Sequence, residues 1–207
     1  RVYIPTKLLF GAGAIKRLHE EGLPGKKALV VTSAGKSVIK YGILDKLLEE
    51  LKLAGVEYVI FNKVLSNPIL THVHEGAEVA RKEGCDFVIG LGGGSSIDAA
   101  KAIAISATNG GNYWDYMQEG SGKCKEVTEK PLKIVAITTT AGTGTEVNPW
   151  TVTTNRELNE KICFGTDDTY PAVAVVDPEL MVSVPPAFTA YQGFDALFHS
   201  TECYLSK

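Results

Sequence analysis

Ile89-Gly90-Leu91-Gly92-Gly93-Gly94-Ser95-Ser96-Ile97-Asp98 joins the end of an apolar run to a segment with helical spacing. Three consecutive glycines leave bare backbone for a pyrophosphate to approach. Ser95 and Ser96 add hydroxyl donors, and the first amides of the following helix supply partial positive charge. A plain connecting turn has the same composition, so the stretch alone does not decide. A second stretch, Thr138-Thr139-Thr140-Ala141-Gly142-Thr143-Gly144-Thr145-Glu146, also follows an apolar run. Its threonines and glycines suit neither a helix nor a strand interior. They offer hydroxyls to a phosphate, a ribose or a base edge; the bland alternative is an ordinary polar loop. A third stretch, Gly193-Phe194-Asp195-Ala196-Leu197-Phe198-His199, sets a carboxylate and an imidazole four residues apart. On a helix they share a face and can bind one divalent cation. An exposed Asp-His ion pair or a capping arrangement has the same spacing, and Glu202 three residues on fits a solvated face.

The first stretch departs from the familiar dinucleotide fingerprint. That pattern is GxGxxG directly after the first strand, with an acidic residue about 20 positions later. Here Gly90-Leu91-Gly92 runs into Gly93-Gly94-Ser95, after the third strand. Asp98 reads either as a carboxylate favoured by the helix dipole or as a direct ligand contact. His19, His72 and His74 are expected at the surface. Trp114, Asp115 and Tyr116 are expected in core or lid packing.

Positioning such groups needs a frame. Residues 27–32, 57–61, 86–91, 132–138 and 172–176 read as strands, and 2–10 as a strand region broken by Pro5. The run Ala28-Leu29-Val30-Val31 is typical of a strand buried on both faces. Helical spacing covers 14–21, 39–54, 71–84 and 95–108. Residues 110–130 read as a loop region with room for a short helical piece, and 151–154 with 161–164 as a hairpin around Asn155-Arg156-Glu157. Alternating strands and helices predict an α/β fold, a parallel sheet covered on both faces, with ligands beyond the carboxyl ends of the strands. Pro185-Pro186 breaks the chain, and a helix of different character starts at Thr189. The reading sets a Rossmann-like nucleotide-binding domain at 1–184 and the start of an all-helical domain at 185–207. Lys207 falls inside a helical pattern with no capping glycine or proline after it, so more chain is expected beyond.

Net charge is −3 and no basic stripe is present, which argues against a nucleic-acid partner. No run approaches the roughly 18 apolar residues of a membrane helix, and Arg1 to Phe10 carries no secretory signal. Cys85, Cys124, Cys163 and Cys203 form no CxxC, so reduced thiols in a cytoplasmic protein are expected.

Taken in order, these stretches resemble the iron-containing (group III) alcohol dehydrogenase family. The match runs from Pro5-Thr6-Lys7 and Phe10-Gly11-Ala12-Gly13 through Asn67-Pro68, the glycine turn, the threonine tract and Asp177-Pro178 to the Asp195/His199 pair. The resemblance implies NAD(P)-dependent interconversion of alcohols and aldehydes or ketones. It implies that Gly93, Gly94 and Ser95 hold the pyrophosphate, with Asp98 on the same helix. Thr139, Thr140 and Thr143 would contact the adenine side and phosphates. Asn67, Lys161 and Leu180 match positions near the adenosine or the nicotinamide ribose. Asp195 and His199 match two of four metal ligands, for Fe(II) or alternatively Zn(II), and a homodimer is implied. Some NAD-preferring members carry an acidic residue just after the threonine of the second strand. Here Thr32 is followed by Ser33, Ala34 and Gly35, with Lys36 close by, so NADP is expected to be tolerated or preferred. Rival readings are a zinc-using glycerol-dehydrogenase-like enzyme, a dehydroquinate-synthase-like lyase, and a nucleotide-binding fragment without catalysis.

Overall fold

The computed structural model describes residues 3–206. The chain opens with β1 (Lys7–Phe10) and a 3-10 segment, Ala14–Glu21. Then come β2 (Lys27–Ser33), α1 (Ser37–Lys40), α2 (Ile43–Leu53), β3 (Glu57–Val64), α3 (Leu70–Glu83), β4 (Phe87–Gly92) and α4 (Gly94–Asn109). After a long connection follow β5 (Lys133–Thr138), the antiparallel hairpin β6 (Thr151–Asn155) and β7 (Glu160–Phe164), β8 (Val173–Val176) and α5 (Pro186–Leu205).

Six strands form one parallel sheet in the order β1-β8-β5-β4-β2-β3. β2 shows why both faces must be covered. Leu29 and Val31 pack with Val73, Ala77 and Ala80 of α3 and with the apolar face of α4. Ala28 and Val30 point the other way, to Leu47 and Leu51 of α2 and to Ile15 and Leu18. Side chains alternate across a strand, so an unbroken apolar run is the signature of such a two-faced strand. Each fully buried leucine of this kind contributes about 1.5–3 kcal/mol. The chain runs from β2 outward to β3, then returns past β2 to β4. The crevice at the carboxyl ends of β2 and β4 is therefore the topological switch point, where sheets of this type hold ligands. Asp177, fully buried just after β8, accepts hydrogen bonds from the amides of Gly13, Ile15 and Glu179 at 3.1, 3.2 and 3.0 Å. One carboxylate thus ties the N-terminal segment to the far end of the fold.

Three expectations change. The helical spacing over 39–54 is split, because Gly42 adopts a left-handed conformation (φ 66°) between α1 and α2. The segment Ala14–Glu21 is 3-10 rather than α. The histidines are not simple surface groups. The His19 ring Nδ1 lies 2.7 Å from Glu50 Oε2, and half-buried His74 accepts the Tyr113 amide hydrogen at its Nε2, 3.0 Å away. Tyr113, Trp114 and Tyr116 sit in the core beside α3 and α4.

Burial first, and Arg81 second, hold the His74 pKa below its ordinary 6.5. His72 is lowered by burial too. A histidine whose folded pKa is depressed contributes stability that is fully present above the unfolded pKa and lost as pH falls through the folded one. These two histidines should therefore lower thermal stability as pH drops below about 6.5, against His19, whose pKa its hydrogen bond to Glu50 raises. In His74→Gln, whose amide oxygen can still accept from Tyr113, the decline should be shallower. Parallel melting-temperature profiles for the two proteins would contradict this role.

Candidate nucleotide and metal site

β4 ends at Gly92, whose φ of +143° is a conformation that side chains rarely allow. α4 starts two residues later, at Gly94. The turn lies directly against the threonine tract that follows β5. The Thr139 amide donates to the Gly92 carbonyl at 2.9 Å. A Cβ at Gly93 would come within 3.2 Å of Thr140 Oγ1, and one at Gly94 within 3.1 Å of Thr143 Cγ2. The two sequence motifs thus face each other across a narrow gap in which a Cβ on either glycine would crowd the threonines.

Three adjoining cavities follow the carboxyl ends of the strands. The middle one, about 240 Å³, lies between Gly93, Gly94, Ser95, Thr140 and Thr143, with Gln192 of α5 at its side. Thr140 and Gln192 also line a second cavity of about 360 Å³, which reaches Thr139, Leu180, Tyr41 and Phe188. Gly94, Ser95 and Thr143 also line the third and largest, about 820 Å³, with Asn67, Asp98, Lys161, Asp195 and His199 on its walls. Thr143 Oγ1, at the junction of the middle and largest cavities, is buried and has no hydrogen-bond partner. A buried hydroxyl without a partner is costly, and a phosphate oxygen would satisfy it. The close-packed glycines and this orphan hydroxyl fit a phosphate-bearing ligand.

The walls of the largest cavity are tied together. Asn67, at φ 61°, donates its amide hydrogen to Ser95 Oγ (3.2 Å), and its Oδ1 accepts from Lys161 Nζ (2.8 Å). Asp98 lies one turn into α4, beyond the reach of the helix end, so the dipole reading does not apply. Its Oδ1 accepts from Thr145 Oγ1 (2.6 Å) and its Oδ2 from the Val152 amide (3.0 Å). Burial raises its pKa, partly offset by those hydrogen bonds and by Lys101 and Lys161.

Lys101, one turn further along α4, is fully buried. Its ammonium donates to Thr145 O (2.7 Å), Thr145 Oγ1 (2.8 Å) and Trp150 O (2.8 Å), with Asn148 Oδ1 at 3.3 Å. An ammonium can only donate, so Thr145 Oγ1 must accept from it and give its one hydrogen to Asp98. Burial lowers the Lys101 pKa to about 8, with Asp98 and Glu146 offsetting part of the effect. The acceptors that surround it favour the charged form.

Asp195 and His199 lie on α5, with His199 Nε2 3.5 Å from Asp195 Oδ1. His199 Nδ1 is 4.0 Å from Glu202. The pair has the geometry of an i,i+4 ion pair and also faces the largest cavity. α5 reaches this place because the loop at Gly142 (φ +97°) admits it. A Cβ there would meet the Gln192 carbonyl at 2.5 Å and Asp195 Oδ2 at 3.2 Å.

The family model for iron-containing alcohol dehydrogenase matches residues 5–178. The chain belongs to that family. It is 45% identical over 206 residues to a choline dehydrogenase of Bacillus subtilis (strain 168), covering 99% of this chain and 50% of that one. It is 37% identical over 211 residues to an NADPH-dependent butanol dehydrogenase of Clostridium saccharobutylicum, covering all of this chain and 52% of the relative. Among solved structures it superposes on NADH-dependent butanol dehydrogenase A of Thermotoga maritima with a TM-score of 0.90 and 36% identity, over 98% of this chain and 50% of that one. The chain spans about half the length of the curated relatives it matches.

The family's name implies iron. Asp195 and His199 are suitable donors in type, since imidazole and carboxylate both bind divalent first-row metals. They are two where such an ion takes four or more, and the described residues contain no group of three or more His, Cys, Asp or Glu that could hold a metal. The described residues therefore fit one side of a metal centre.

Sequence reasoning missed Lys101, Gln192 and Trp150. Lys101 had a signal, a lone cation in the otherwise apolar helical stretch Ala99 to Ile105. Gln192 and Trp150 had none, because their positions depend on long-range packing.

Lys101→Met should destabilise the fold by about 3 kcal/mol or more, since it strands the buried Asp98 carboxylate and two carbonyls. Urea denaturation measures this. A loss under about 1 kcal/mol would show that the network is not needed for the fold.

Proposed function

We propose that this chain is the nucleotide-binding half of a metal-dependent NAD(P)-linked oxidoreductase that interconverts alcohols with aldehydes or ketones. The row of three adjoining cavities, which ends at Asp195 and His199, carries the proposal. An apolar chamber, a hydroxyl-lined gap and a larger chamber with a carboxylate and an imidazole match, in order, a base, a pyrophosphate and a reacting end. Family membership supports the reaction class, and the relatives named above carry dehydrogenase activities in their names.

Under this reading Gly93, Gly94, Ser95 and Thr143 bind the phosphates through backbone amides and hydroxyls. Thr139, Thr140 and Leu180 flank the adenosine end. The Lys161–Asn67 pair positions the ribose of the reacting end, and Asp98 braces its floor through Thr145 and Val152. A nicotinamide nucleotide held there would supply the hydride-transfer chemistry. Asp195 and His199, with further donors, would hold a divalent ion, which when bound would supply Lewis acidity toward the substrate oxygen. Iron(II) is favoured by the family, and zinc suits the same donors. Trp150 and Val152 give the chamber apolar wall, which limits water at the reacting end.

Among the described residues no acidic side chain lines the two cavities at the adenosine and phosphate end, and Ser33 stands beside the phosphate gap. The absence of a carboxylate to repel a 2′-phosphate supports NADP as the cofactor, with NAD as the alternative. We also read residues 1–184 as the nucleotide-binding domain and 185–207 as the start of a helical one, since α5 buries no residue of its own. A homodimer is supported by β1, an edge strand with Leu8 and Phe10 exposed. The four free cysteines suit the cytoplasm, and no helix among the described residues is long and apolar enough to cross a membrane.

Tryptophan fluorescence, with energy transfer to a reduced nicotinamide, measures binding. NADPH should bind at least as tightly as NADH. Ser33→Asp should weaken NADPH about tenfold or more by like-charge repulsion, with little effect on NADH. Tighter binding of NADH by the parent chain would overturn the cofactor assignment. Metal-dependent oxidation of NADPH by butyraldehyde, on the full protein, tests the reaction. Tight nucleotide binding without turnover of any alcohol or aldehyde would sink it.

A further inference from the structure

Gln192 sits on α5 three residues before Asp195, on the same helix face. Its carboxamide accepts the Ala141 amide hydrogen at 2.9 Å. The Ala141 N–H is a donor, so the atom facing it must be the oxygen, and this fixes the orientation of the side chain. The carboxamide nitrogen then carries two hydrogens. It donates to no acceptor among the hydrogen bonds of the described residues. Gln192 lines both the hydroxyl-walled gap, with Gly93, Ser95 and Thr143, and the adenosine-side cavity, with Tyr41 and Leu180. No other side chain of α5 lines the hydroxyl-walled gap. Gly142 gives the same seat its backbone half, because its lack of a side chain lets the Gln192 carbonyl and the Asp195 carboxylate come close. One short loop, Ala141-Gly142, therefore forms part of the phosphate gap and also receives the helix that bears Asp195 and His199.

We propose that the Gln192 carboxamide is a two-sided latch. Its oxygen holds the Ala141 amide, its nitrogen donates to the phosphate chain of the bound nucleotide, and nucleotide binding thereby fixes α5. The inference rests on the dinucleotide reading above. It adds that cofactor and metal-donor helix are energetically coupled through a side chain that is not itself a metal donor. Coupling of this kind is reciprocal: whatever seats α5 also tightens the nucleotide. Without a nucleotide, α5 is held by little else, since none of its residues is buried.

The test uses ADP-ribose, which carries the pyrophosphate, and adenosine, which does not. Both are titrated into the full chain by calorimetry, with amide hydrogen exchange followed over 186–205. Two variants separate the sides of the latch. Gln192→Ala removes both. Gln192→Glu keeps an oxygen for the Ala141 amide but replaces the phosphate donor with a like charge. The parent should bind ADP-ribose and gain protection along α5. Gln192→Ala should lose about tenfold in ADP-ribose affinity, the worth of one hydrogen bond to a charged group, and Gln192→Glu should lose more. Adenosine affinity should not change, and neither variant should gain α5 protection on binding.

Variants that bind ADP-ribose as the parent does would overturn the latch and leave the dinucleotide reading standing. Equal losses for adenosine and ADP-ribose would also overturn it, by showing damage to the cavity rather than a lost phosphate contact. A parent chain that binds neither would overturn the latch together with the reading beneath it.

Discussion

A single buried cation holds the site together. Lys101 projects from α4 beneath the segment that joins β5 to β6, and its ammonium finds its acceptors there: Thr145, Trp150 and, at longer range, Asn148. That segment forms only one short 3-10 turn, Thr145–Val147, because it is rich in glycine and threonine and curves around a cavity. Its carbonyls would otherwise face inward without partners. A charge in a dry interior is expensive unless it is hydrogen-bonded and balanced. Here the acceptors satisfy its hydrogens, and Asp98 balances it through the Thr145 hydroxyl. The cost of burying the charge and the cost of an irregular buried loop thus offset each other. The same helix presents Gly94 and Ser95 to the hydroxyl-walled gap from its first turn. Rigid α4 therefore sets both the floor of the site and its opposite wall.

The parallel sheet explains why these parts meet where they do. Strand order reverses between β2 and β4, and the two connections leave that point in opposite directions, which opens a crevice. Every candidate group lies along it. The glycine turn comes from β4, the threonine tract from β5, Leu180 from the turn after β8, and Asn67 from the loop after β3. Lys161 reaches in from the hairpin β6–β7, which rests on α4. α5 closes one side while burying none of its own residues, and its apolar side chains, Phe194 and Leu197 among them, remain exposed.

Much of this was legible in the sequence, for identifiable reasons. Strands buried on both faces write long apolar runs, so β2, β4 and β5 stood out, and the turn after β4 could be placed by its glycines. The hairpin was legible from two short alternating runs around Asn155-Arg156-Glu157. The split at Gly42 was not, because apolar spacing continues across it and only the backbone conformation breaks it. His74 looked like a surface residue because its partner is a backbone amide 39 residues away, which no local pattern encodes. Asp98 was singled out, yet its actual partners, Thr145 and Val152, lie about 50 residues downstream. Gln192 is one of several polar residues on α5, and what makes it notable is its contact with a glycine loop 51 residues upstream.

The central claim is that one dinucleotide lies along the crevice and touches the glycine turn and the threonine tract together. Backbone amide chemical shifts during titration of the isotope-labelled chain with NADP test it most directly. The account predicts that Gly93, Gly94 and Ser95 shift together with Thr139 to Thr143, along one saturation curve, at one nucleotide per chain. Shifts confined to one of the two stretches, or centred on another surface, would contradict it.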